Sequence, residues 1–230
     1  MKKRILALII AMIAVMCFTA CGSSSTESEP ADTSSEQVTE EAAEEPAEVD
    51  VNAITTDAES HTVSIYAQVN GTFFDQSTMH CVVNKDGGAG DKAMFAAYCS
   101  PQDFYDAMVA AGGEPWNTTD AKIADGEFTD GQNVNITFTW DGQDTPVPLY
   151  DMIKTADGKA EVDMRFSGNQ ANNVECGSGC IACLNSCWAG ITSNAAYGFG
   201  AIDSGNPLVY LDDTVAPADG TVVLVTFTLE

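Results

Sequence analysis

An α+β domain, built on a mostly antiparallel β-sheet with one or two packed helices and a cysteine-rich loop, is the fold class that residues 61–230 predict. Three observations lead to it. Several segments alternate apolar and polar residues with period two, one segment carries helix-boundary signals at both ends, and residues 176–187 place four cysteines in twelve positions. Period-two alternation marks strands with one buried face, and a lone well-bounded helix is the natural cover for such a sheet.

Thr62–Val69 alternates with Val63 and Ile65 inward, and Ala67 and Val69 continuing the same face. Met79–Val83 and Ala93–Cys99 read as two further strands joined by the glycine-rich turn Asn84–Gly90. Ser100 is placed to cap a helix over 100–111, Pro101 suits its first turn and Asp103 faces the positive end of its dipole. Phe104, Met108 and Ala111 share one face of that helix, and Gly112-Gly113 with Pro115 ends it. Asn133–Trp140 alternates with Val134, Ile136, Phe138 and Trp140 on one side, and Asp141-Gly142 supplies a turn before a strand over Val147–Met152. Val162–Phe166 and Val222–Leu229 complete the strands.

Residues 1–20 belong to targeting rather than to the fold. Lys2, Lys3 and Arg4 precede an apolar run from Ile5 to Phe18, which is the length of a secretory h-region and shorter than a bilayer span. Phe18-Thr19-Ala20-Cys21 then resembles a bacterial lipoprotein box, which implies cleavage before Cys21 and a lipid on its sulfur. The expected location is therefore the cell membrane, anchored by that lipid on the extracytoplasmic face. From 21 to 60 the composition turns to Ser, Thr, Ala, Pro and Glu, which reads as an acidic disordered spacer unable to offset its chain entropy by burial. The formal charge is −25, and removing Lys2, Lys3 and Arg4 with the signal makes it −28. Such a balance argues against nucleic acid as a partner.

Six thiols remain once Cys17 leaves with the signal and Cys21 takes lipid: Cys81, Cys99, Cys176, Cys180, Cys183 and Cys187. On one continuous helix the spacing of Cys176, Cys180, Cys183 and Cys187 would track a single face, yet its ends would lie about 16 Å apart, too far to share one metal. Gly177 and Gly179 break the helix and let the chain wrap. The four thiols then form a ligand set suited to an iron-sulfur cluster or to zinc. Disulfides are the competing use, since six thiols in an exported chain permit three bridges, with Cys81 and Cys99 facing each other across the expected hairpin. Cys180-x-x-Cys183 also has the spacing of a redox dithiol, although no thioredoxin-like strand-helix context precedes it.

His61 and His80 match no ligand spacing and are expected at surface or edge positions. Trp116 and Trp140 read as core or rim aromatics, and neither a phosphate loop nor a Gly-x-Ser-x-Gly elbow is present. Serine hydrolase and nucleotide chemistry thus have no foothold, and no residue outside the cysteines is marked as catalytic.

The stretch Gly179–Cys187 with its continuation Gly190–Tyr197, the helix ending in Gly112-Gly113-Glu114-Pro115, and Ile136–Trp140 followed by Asp141-Gly142 resemble the YdjY-like family of exported, ferredoxin-like proteins. The resemblance implies a ferredoxin-type cluster on Cys180, Cys183 and Cys187, with Cys176 as the fourth ligand. It also implies an electron carrier or accessory subunit working with a redox or surface protein partner. Secretion of an unfolded chain pulls the other way, because a cluster would have to be built outside the cytosol, whereas zinc or disulfides would not. A disulfide-stabilised surface binding lipoprotein without a redox role therefore stands beside the metal reading.

Overall fold

The computed structural model describes residues 49–230; the signal-like stretch, Cys21 and the spacer up to residue 48 lie outside the described residues. Regular structure starts before the expected boundary at 61, with β1 (Ile54–Asp57) paired antiparallel to β2 (Thr62–Val69). There follow β3 (His80–Asn84), β4 (Phe95–Ala97), α1 (Pro101–Ala110), β5 (Gln132–Trp140), β6 (Gln143–Pro148) and α2 (Leu149–Met152). The remainder is β7 (Ile153–Thr155), β8 (Gly158–Lys159), β9 (Met164–Phe166), α3 (Gln170–Cys176), β10 (Cys180–Cys183), β11 (Thr192–Asn194), β12 (Tyr210–Leu211) and β13 (Val222–Leu229).

The α+β expectation is overturned, because the main sheet closes on itself. Its order runs β2-β13-β5-β9-β11-β10-β3-β4, and β4 pairs back onto β2, which makes an eight-stranded barrel. β2 is long enough to serve two neighbours on one side: Thr62–Ile65 pairs with β1, and Ala67–Val69 pairs with β4. A second, small sheet has the order β12-β7-β8. The helices are short and do not form a layer over the sheet.

The core sits inside the barrel because the alternating residues face one another across it. Val63, Ile65 and Ala67 of β2, Ile136 and Phe138 of β5, and Val223, Val225 and Phe227 of β13 are buried together. Phe95 meets Phe138 with ring centroids 4.6 Å apart, and Phe104 of α1 meets Phe227 edge-on at 4.6 Å. Each such aromatic contributes about 1.5–3 kcal/mol on burial. Helix α1 has the caps expected of it, with Ser100 Oγ accepting from the Asp103 N–H at 3.1 Å.

Two local expectations also fail. The strand expected over Val147–Met152 stops at Pro148, and Leu149–Met152 turns helical from a proline whose φ of −70° already suits helix entry. More consequentially, β3 and β4 are parallel, with Val82 beside Phe95 and Asn84 beside Ala97. The glycine-rich turn does not reverse the chain into a hairpin. It folds onto residues 177–179 instead, where Gly88 N–H donates to Gly177 O at 2.8 Å and Ala89 N–H donates to Ser178 O at 3.0 Å.

Candidate metal centre

Strands β3 and β10 run antiparallel, with His80 opposite Cys183 and Cys180 opposite Val83. Between those pairs the register shifts twice, around Ala182. In a regular strand Cys180 and Cys183, three residues apart, would point to opposite faces. The irregularity re-aims them to the same side. Ile181, Ala182 and Leu184 consequently join the barrel core, whereas Cys180, Cys183 and Cys187 form a separate buried cluster with Val83, Ala89, Ala93 and Ala189.

The geometry of that cluster is tight. One donor atom each from His80, Cys180 and Cys183 lies within 4.8 Å of the others, and His80 Nδ1 stands 3.3 Å from Cys180 Sγ. Cys183 packs in one buried cluster with Cys180 and Cys187. Cys180, Cys183 and Cys187 are 1%, 0% and 4% exposed. The hydrogen bond from Cys183 pulls the Cys180 thiol well below the ordinary thiol range, with help from His80 and Ser178 against the opposing effect of burial. Cys183 moves the opposite way, raised first by its contact with Cys180, then by Cys187 and by burial.

Helix α3 fastens the two halves of this site. The Asn173 amide donates to Cys180 O and to Ala189 O, both at 2.7 Å. Asn169, at the head of the same helix, donates to Cys187 O at 2.8 Å and to Gly190 O at 3.0 Å. Gly190 is obligatory by contact, since a Cβ there would lie 3.0 Å from Cys183 Sγ and 2.7 Å from Ser193 Oγ. Close backbone approach recurs at Gly179, where a Cβ would fall 2.9 Å from Gly87 Cα. The glycines that break the helix after Cys176 thus also let the 84–90 turn pack under the site.

Of the expected ligands, Cys180, Cys183 and Cys187 are brought together and Cys176 is not. Cys176 ends α3, is exposed, and its thiol donates to the Asn173 carbonyl at 3.6 Å, within its own helix and away from the other three. Its place is taken by His80, which sequence spacing put at the surface because its partners lie a hundred residues away. Asn169 and Asn173 were missed as well, although their separation of four, from the cap of α3 into the helix, places both amides on one face. Cys81 and Cys99 remain separate thiols. The parallel pairing sets Ala97 beside Asn84, and the Asn84 amide reaches on to donate to Cys99 O at 2.7 Å. That is three residues past Cys81, roughly 10 Å along the strand and beyond disulfide reach. Burial raises both thiols, Cys99 to about 12 and Cys81 further.

Three thiols and an imidazole are donors that zinc and iron accept. The separations below 4.8 Å among His80, Cys180 and Cys183 fit ligands of one ion, since a tetrahedral zinc with bonds of about 2.0–2.3 Å spaces them roughly 3.5–3.8 Å apart. No helix among the described residues is long and apolar enough to cross a membrane.

Comparison with known proteins gives the same region a family. No solved structure matches the chain. The uncharacterized protein YdjY of Escherichia coli strain K12 is 36% identical over 175 residues, which cover 76% of this chain and 77% of the relative. The YdjY domain description matches residues 54–228, from the first strand to the penultimate residue of the last, and the chain therefore belongs to the YdjY domain family.

Proposed function

We propose that the protein is a lipid-anchored, extracytoplasmic metal-binding module whose centre is a single thiophilic ion held by His80, Cys180, Cys183 and Cys187. The observation that carries this reading is the convergence of His80, Cys180 and Cys183 donor atoms within 4.8 Å, with both thiols buried. An iron-sulfur cluster inserts its own iron and sulfide between the cysteines and spreads them further apart, so the short separations favour a mononuclear ion. If that ion is iron, its thiolate setting supports the electron transfer implied by the ferredoxin-like resemblance; if zinc, the centre is structural. The Cys180-x-x-Cys183 spacing and the lowered thiol alone would suit disulfide exchange, but both sulfurs are closed to a substrate disulfide. The lipid anchor rests on the basic start, the apolar run and Cys21.

The test is elemental analysis of the purified protein together with a free-thiol count. About one zinc or iron per chain is expected, lost in His80→Ala and Cys183→Ser and kept in Cys176→Ser. A metal-free protein with its thiols paired as disulfides would overturn the proposal. So would a Cys176→Ser variant that loses metal as completely as Cys183→Ser. Inorganic sulfide released in proportion to iron would replace the single ion by a cluster.

A further inference from the structure

The four donors are not equally reachable. Behind the three cysteines the cluster is closed by Val83, Ala89, Ala93 and Ala189, with half-buried Trp188 laid against it and the Lys122 ammonium 4.5 Å over the Trp188 ring. His80 alone is partly exposed, and it lines a cleft of about 510 Å³ together with Gln76, Met79, Asp91, Lys92 and Asp203. The clefts bounded by Trp116 and Lys122, and by Phe128 and Phe199, contain none of the four donors.

We propose that this cleft is the port through which the centre gains and loses its ion, with His80 as the ligand that lets go. The proposal rests on the metal reading above. Ligand substitution at a tetrahedral centre needs an incoming donor to reach the ion, and among the described residues the cleft on the histidine side offers that room. Ligating histidines are normally held by a second hydrogen bond from the far ring nitrogen. Among the described residues the His80 ring bonds only to Cys180, and its backbone N–H goes to Thr78 Oγ1 at 3.1 Å. A ring free on its outer edge swings more easily than any of three packed thiolates. Asp91 and Asp203 stand exposed at the mouth, in no ion pair among the described residues, in a chain of net charge −25. They draw in a divalent cation, while Lys92 disfavours an anionic complex. The ligand class is thus a thiophilic divalent ion arriving aquated or on a neutral or cationic carrier.

A route affects rates without affecting the end states, which sets the experiment. Cobalt(II) chloride is mixed with the metal-free protein in a stopped-flow instrument, with sulfur-to-cobalt absorption as the signal. Release is followed with excess chelator, and the equilibrium constant is taken by competition. Gln76→Trp, an exposed position on the cleft wall, is expected to slow binding and release together by about tenfold with affinity unchanged. The pair Asp91→Asn with Asp203→Asn is expected to slow binding about tenfold at low salt, an effect that fades as ionic strength rises. Rates unchanged in both variants would overturn the port. Faster exchange in Trp188→Ala alone would overturn it too, by moving the route to the other side. Absence of the cobalt signal in the unsubstituted protein would instead bring down the centre itself, and the port with it.

Discussion

Asn185 lies in the turn between Cys183 and Cys187, is fully buried, and among the described residues finds no hydrogen-bond partner for either end of its amide. An unsatisfied buried amide costs about 1–3 kcal/mol. Asn185→Leu is therefore expected to raise the metal-free protein's stability by about 1 kcal/mol in a urea titration. Asn173 is the opposite case, because both of its donated bonds are buried and short. Asn173→Ala should cost about 2–3 kcal/mol by the same titration and weaken metal binding about tenfold, since it frees the Cys180 strand from the Ala189 turn. The cysteines of the site were readable from sequence because thiol spacing is local chemistry. His80 and the two asparagines were not, because what defines them is contact across the fold: His80 looks ordinary until β10 is laid beside β3.

Elements were readable in proportion to their length and regularity. β2 and β13 occupy the spans that alternation predicts, because eight residues suffice to show a period of two. β9 falls inside the strand expected over Val162–Phe166, but β11 has three residues, too short for any period, and β10 carries four consecutive buried residues in an irregular register. Alternation shows that one face is buried but not whether a helix or the sheet's own far side buries it, so closure was invisible. The small sheet makes a separate, testable case. Asp212, beside β12, is 7% exposed and pairs with Lys154 of β7 at 3.5 Å and Lys159 of β8 at 3.3 Å. Burial alone would raise its carboxyl, but hydrogen bonds from Thr214 and Lys159 and the charge of Lys154 hold it down at about 2. A depressed native value means stabilisation that is complete above about pH 4, where the unfolded carboxyl is ionised, and that fades as pH falls toward 2. Asp212→Asn should thus lower stability by about 1–2 kcal/mol at neutral pH, and the gap between variant and parent should close near pH 2 in acid-unfolding curves.

At the scale of the whole molecule, the centre joins segments far apart in the chain: β3, β10 and the turn after it. An ion bound there stabilises the entire barrel by linkage, about 2.7 kcal/mol when free metal is a hundred times the dissociation constant. A chelator should accordingly lower the melting temperature, and Cys183→Ser should abolish that sensitivity. Outside the described residues, Cys21→Ala is expected to shift the protein from the membrane fraction to the soluble extracytoplasmic one, as read by fractionation. β2 pairs with β13 along seven residues, Thr62 against Thr228 through Gln68 against Val222. The first long strand made has β1 and β4 on one side, but its other side must wait for the last strand. A ribosome or a secretion pore delivering the chain from its N-terminus cannot release a half-built barrel, and every thiol of the centre emerges while the wall is still open. Folding becomes a single late event, triggered by arrival of the final strand, and a chain cut before Val222 should stay unfolded by circular dichroism however much metal is supplied.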